Sequence, residues 1–148
     1  MRPAVDFHSR YSKQLNNPSV AFPDKTEIWN PVVELVLRHG KKHFGALALL
    51  DSGSQWSFIA PKYANPLGID WRNGPTMTFG GLGNPNNMGY AVDLKLVLLR
   101  ANYAWDARVL VTEALEPFPM ILLGHQGFFE HFDVTFQTRL RHFHIERK

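Results

Sequence analysis

The stretch that most constrains this chain is Leu47-Ala48-Leu49-Leu50-Asp51-Ser52-Gly53-Ser54, an apolar run that stops at a carboxylate and three small residues. A short apolar run bounded by turn formers reads as a buried strand. A carboxylate at the end of such a strand is costly unless its neighbours hydrogen-bond or neutralise it. The residues that follow suit that task. Gly53 lets the backbone come close to the carboxylate, and Ser52 and Ser54 bring short hydroxyls able to donate to a nearby oxygen. Taken alone, the pattern also describes an aspartate that caps a turn.

Most of the remaining chain reads as strand. Val32 to Leu37 alternate around Glu34, His39-Gly40-Lys41-Lys42 makes a turn, and Phe44 to Leu50 return. Trp56-Ser57-Phe58-Ile59 leaves the Asp51 loop in extended form. Pro61 to Pro66 has room for one helical turn, because Pro66 ends it. Thr76 to Phe79 is strand-like and leads into the glycine-rich stretch 80–89. A phosphate-binding loop is excluded there: the third glycine of the dinucleotide fingerprint is missing, Pro85 interrupts the required helix, and no Lys-Ser/Thr follows. A long hairpin tip is the better reading. Asp93 to Leu99 alternate with Leu94, Leu96 and Leu98 on one face, and Trp105 to Val111 return after a turn near Ala101-Asn102. Asp133 to Phe136 and Arg141 to Ile145 form a last hairpin. The predicted fold class is all-β, a small closed or partly closed β-barrel.

Residues 1–30 are polar and broken by Pro3, Pro18 and Pro23, and read as an irregular N-terminal arm outside a single domain at 31–148. A chain of 148 residues, 45% apolar, suffices for one packed core. The net charge of +3 is no nucleic-acid signature. Arg38, Lys41 and Lys42, and then Arg139, Arg141, Arg147 and Lys148, read as solvated faces and tail. Without cysteine there are neither disulfides nor thiol catalysis. The first residues lack the apolar core of a signal peptide, and no run is long and apolar enough to span a bilayer, so a cytoplasmic protein with no membrane partner is expected. His142 and His144 share one strand face as a metal pair would, but no third ligand stands at suitable spacing. Ser52 lacks the Gly-x-Ser-x-Gly setting of a hydrolase nucleophile.

Asp51-Ser52-Gly53-Ser54, followed by Ser57-Phe58-Ile59, resembles the active-site segment of aspartic proteases, and of their single-domain, retropepsin-like branch in particular. Met120-Ile121-Leu122-Leu123-Gly124 is similar to the strand that family sets beside its catalytic loop, and Gly127-Phe128-Phe129-Glu130-His131-Phe132 to the one short helix that follows. The resemblance runs over roughly residues 32–145.

It implies a peptide endopeptidase in which Asp51 is catalytic, Ser52 bonds across a dimer, Gly53 offers its amide to the carboxylate, and Ser54 orients its outer oxygen. The hairpin at 80–89 becomes a substrate-covering flap, with Gly81, Leu82 and Gly83 contacting substrate. Because the chain holds a single Asp-Ser-Gly, the second carboxylate must come from a homodimer. No metal or other cofactor and no nucleic acid are implied. The aromatic-proline pair in Val20-Ala21-Phe22-Pro23 has the form of a self-cleavage site; an extension that is never cut is the alternative. Two positions depart from the pattern. His125 follows Gly124 where many relatives carry arginine, and Trp56 replaces a small acid that contacts substrate. A catalytically inactive dimerisation or peptide-binding module stays open as an alternative, as does a small-ligand barrel.

Overall fold

A computed structural model describes residues 4–81 and 83–148. In chain order its elements are β1 (Val5–Arg10), β2 (Ser12–Leu15), β3 (Glu27–Asn30), β4 (Val32–His39), β5 (Lys42–Leu50), β6 (Phe58–Ile59), helix α1 (Pro61–Ala64), β7 (Thr76–Gly81), β8 (Asn84–Leu98), β9 (Tyr103–Val111), β10 (Ile121–Leu123), β11 (Asp133–Gln137) and β12 (His142–Arg147).

Gly40 and Lys41 join β4 to β5 in a two-residue turn, and Gly40 supplies the positive φ of +60° that its first position demands. From there the hydrogen-bonded order runs β4-β5-β10-β6-β9-β8, and β8 pairs back onto β4. Six strands thus close into a barrel without a free edge. Strand β7 hangs on the first half of β8 and projects as a hairpin.

The alternation in the sequence decides which residues fill the barrel. Leu94, Leu96 and Leu98 of β8 and Tyr103, Trp105, Ala107 and Val109 of β9 are buried. At the alternate positions Asp93, Lys95, Asp106 and Arg108 face solvent and pair across the strands. Arg108 grips Asp93 through two bonds of 2.8 and 2.9 Å, and Lys95 lies 3.3 Å from Asp106. The Arg108 hydrogen bond holds the Asp93 carboxyl below its ordinary range.

The first residues depart from expectation: the stretch read as an irregular arm contributes β1, β2 and β3. Strand β1 runs antiparallel to β12, which pairs in turn with β11, while β2 pairs with β3. Val5 and Tyr11 are buried beneath this terminal sheet. Its other face holds His144, whose Nε2 lies 2.6 Å from Asp6 Oδ1 and whose ring stacks 4.2 Å from that of His8. The hydrogen bond from His144 lowers the Asp6 carboxyl. Both His142 and His144 are half-buried. Among the described residues no group of three or more potential ligands is placed to hold a metal, and no helix is long and apolar enough to cross a membrane. Arg147, expected on a solvated tail, is half-buried, with its guanidinium 5.3 Å from the Tyr103 ring.

The short helix also lies elsewhere. It is α1, with Pro61 in its first turn, as suits a residue without an amide proton. Tyr63 Oη donates to Pro119 O at 2.9 Å and Lys62 Nζ to Phe118 O at 3.1 Å, which ties the connector before β10 to the barrel wall. Burial raises the Tyr63 phenol above its usual range. Residues 127–132 form successive turns in place of the expected helix. Their bonds run from Phe129 N to Gly124 O, Glu130 N to His125 O and His131 N to Phe128 O, none of them the four-residue span of an α-helix. The cause is local. Gly127 takes φ +100°, the Glu130 carboxylate accepts from Gly127 N at 2.9 Å, and the Phe128 and Phe132 rings are drawn into the core.

Candidate active site

Strand β5 delivers Asp51 to the mouth of the barrel, where Asp51 N donates to Leu123 O of the parallel neighbour β10 at 2.9 Å. The chain then turns at once. Ser54 N donates to Asp51 O at 3.0 Å, which makes Asp51 to Ser54 a four-residue β-turn. Inside that turn Gly53 N donates to Asp51 Oδ1 at 3.1 Å. The amide therefore offsets part of the carboxylate's charge. Ser54 Oγ donates to Trp56 O at 2.6 Å and so does not spend its proton on the carboxylate. Ser52 is exposed, and its hydroxyl has no partner among the described residues.

A second loop backs the first. His125 N donates to Ser54 O and Gln126 N to Gln55 O, each at 2.9 Å, so residues 124–127 are laced to the Asp51 loop by their main chains. Gly124 must be glycine: a β-carbon there would lie 2.3 Å from Trp56 O and 2.6 Å from Ser54 O. Ser57, 1% exposed, ties the two loops, accepting from Gly124 N at 2.9 Å and donating to Gln126 O at 2.7 Å. From below, Trp105 Nε1 donates to Gly127 O at 2.8 Å. Ser57 and His125 were not among the site residues expected from sequence. A serine between Trp56 and Phe58 in an otherwise apolar strand was the available sign of the first; the second stood out only as a departure from arginine after Gly124, with nothing to mark its bond to the Asp51 turn.

Facing Asp51 across a cleft of about 510 Å³ is the β7–β8 hairpin. Trp56, Phe58, Met77, Phe79 and Leu122 give the cleft apolar walls, and the Phe58 and Phe79 rings meet at 4.6 Å. The hairpin is tighter than the glycine run suggested. Gly81 pairs with Asn84, so most of 80–89 is strand, with one register shift between Phe79 and Gly81. Positive φ values fall on Gly81 (+125°) and Gly83 (+79°). Asn87, only 6% exposed, holds this bend by donating to Gly81 O at 2.7 Å. Gly81 lines the cleft and Gly83 stands in the tip, while Leu82, also expected to contact substrate, lies outside the described residues.

No family model and no curated protein sequence matches the chain. Solved structures do. A retropepsin-like aspartic protease from Rickettsia conorii superposes with a TM-score of 0.64 at 11% identity, covering 99% of this chain and 94% of its own. EIAV protease, solved with the inhibitor HBY-793, gives a TM-score of 0.47 at 19% identity over 65% of this chain and 82% of its own. From the first of these, the chain has the fold of the retropepsin-like aspartic proteases.

Proposed function

We propose that the chain is one half of a homodimeric aspartic endopeptidase, in which two copies of Asp51 meet at a two-fold axis and activate water against a peptide bond. The observation that carries this reading is the placement of Asp51. Its carboxylate lies on the cleft opposite the β7–β8 hairpin, with one oxygen already accepting the Gly53 amide. The chain has no second Asp-Ser-Gly, and a symmetric copy supplies the missing acid.

Two carboxylates at hydrogen-bonding distance hold one proton between them, because both cannot ionise cheaply. Aspartic proteases in general work from this state. The ionised member takes a proton from a bridging water, and the protonated member donates to the scissile carbonyl. The amine then leaves with a proton as the tetrahedral intermediate collapses. In this reading the β7–β8 hairpin is the flap. At Gly80 and Gly81 no side chain shields the backbone, which suits main-chain bonding to an extended peptide. The apolar walls favour apolar side chains beside the cleaved bond. The unpartnered Ser52 hydroxyl is free to bond across the axis.

The test is a peptide library digested by wild type and by Asp51→Asn from about pH 4 to about pH 7. Expected are discrete cleavages, blocked by a pepstatin-like peptide and absent from the variant, together with a dimer in sedimentation. Cleavage that survives in Asp51→Asn overturns the reading. Peptides held equally by both proteins and never cut identify an inactive binding module instead.

A further inference from the structure

The exposed imidazole of His125 reaches the turn that carries Asp51: its Nε2 lies 2.8 Å from Ser52 O. A carbonyl oxygen only accepts, so Nε2 carries the proton. The same peptide group donates at its other end, where Gly53 N lies 3.1 Å from Asp51 Oδ1. One peptide unit thus joins an imidazole to the carboxylate.

That unit is the central peptide of the Asp51–Ser54 β-turn, the group whose orientation separates type I from type II turns. Glycine at the third position permits both, because only type II requires a positive φ there. Gly53 is not among the residues with positive φ, so its amide points toward Asp51 and the Ser52 carbonyl toward His125. A flipped peptide would turn its oxygen toward the carboxylate and withdraw the amide. Among the described residues His125 is the one group bonded to Ser52 O. It is well placed to hold it: His125 N donates to Ser54 O at 2.9 Å, Glu130 N donates to His125 O at 3.0 Å, and the Phe129 ring lies 5.4 Å from the imidazole.

We propose that His125 is a positioning residue for Asp51, locking the Ser52–Gly53 peptide in the orientation that presents the Gly53 amide to the carboxylate. Donation into the carbonyl also polarises the peptide and makes its N–H the stronger donor. The proposal rests on the reading of Asp51 as the catalytic acid.

Two variants test it. His125→Phe keeps a ring beside Phe129 and removes the donor, while His125→Gln restores an N–H. In ¹H–¹⁵N spectra the Gly53 amide proton is expected to move upfield and exchange faster in His125→Phe, and to return toward wild type in His125→Gln. In turnover, His125→Phe is expected to lower kcat about tenfold with KM within about twofold, and His125→Gln to recover most of the loss, as suits one hydrogen bond. A Gly53 amide and a kcat both unmoved in His125→Phe overturn the proposal, as does a loss that His125→Gln fails to rescue while melting as wild type does. A wild type that cuts no peptide overturns the protease reading, and the amide measurement then decides this one by itself.

Discussion

Ser57 and Gly124 meet through a single hydrogen bond of 2.9 Å, at the point where Gly124 has no space for a β-carbon. The floor of the site therefore depends on two buried residues. Gly124→Ala would force its methyl into the Trp56 and Ser54 carbonyls, which are main chain and cannot swing aside. We expect a loss of more than about 3 kcal/mol, read from chemical denaturation at fixed protein concentration. An unchanged midpoint would mean the two loops are not packed in this way.

Ser57→Ala leaves the Gly124 amide and the Gln126 carbonyl without their buried partner. The expected cost is about 2 kcal/mol, with Ser57→Thr intermediate because it keeps the hydroxyl and adds a methyl to a closed space. Gly127 shows how closed it is: a β-carbon there would meet Ser57 Oγ at 3.0 Å.

Asp51→Asn is expected to lower turnover at least about a thousandfold while leaving the melting temperature near that of wild type. The Gly53 amide still finds an oxygen on the asparagine, so the turn survives. Rates and thermal scans on the same preparations check both halves.

Asn87→Ala removes the donor that holds Gly81 O and frees the bend of the β7–β8 hairpin. Because the hairpin stands outside the barrel, global stability should fall by only about 1 kcal/mol. Peptide turnover should fall further, by about tenfold in kcat/KM, if the hairpin covers substrate.

Asp93 carries a pH dependence whose sign is fixed by its shift. The Arg108 hydrogen bond lowers the folded carboxyl below the ordinary value of 3.8. Its contribution is therefore complete above that value and fades as pH falls through the lower, folded one. Melting curves of wild type and Asp93→Asn should differ at neutral pH and converge in strong acid. Curves that diverge on acidification would refute the assignment.

What sequence reasoning could see was local. Asp51-Ser52-Gly53-Ser54 announced itself because an apolar strand and a polar turn are adjacent in the chain, and the β8–β9 pair because Leu94, Leu96 and Leu98 keep a period of two. Distant pairing was invisible. Asp6 bonds His144 across 138 residues, so nothing near Val5 marked β1 as a strand of a sheet. Phe128, Phe129 and Phe132 have helical spacing, yet Gly127 and Glu130 settle that stretch as turns. In sequence Asn87 is one of the polar residues of the stretch 80–89 and carries no mark of its own. Only the closed hairpin makes it a buried clamp.

The pairing of β1 with β12 changes how a backbone cut near the start of the chain would look. The exposed connection between β2 and β3 contains Phe22 and Pro23. Scission there leaves a fragment that remains annealed through β1 to the last strand and through β2 to β3. Such a nicked protein travels as one body on a sizing column and separates only in denaturant, so cleavage at this bond has to be looked for by mass under denaturing conditions.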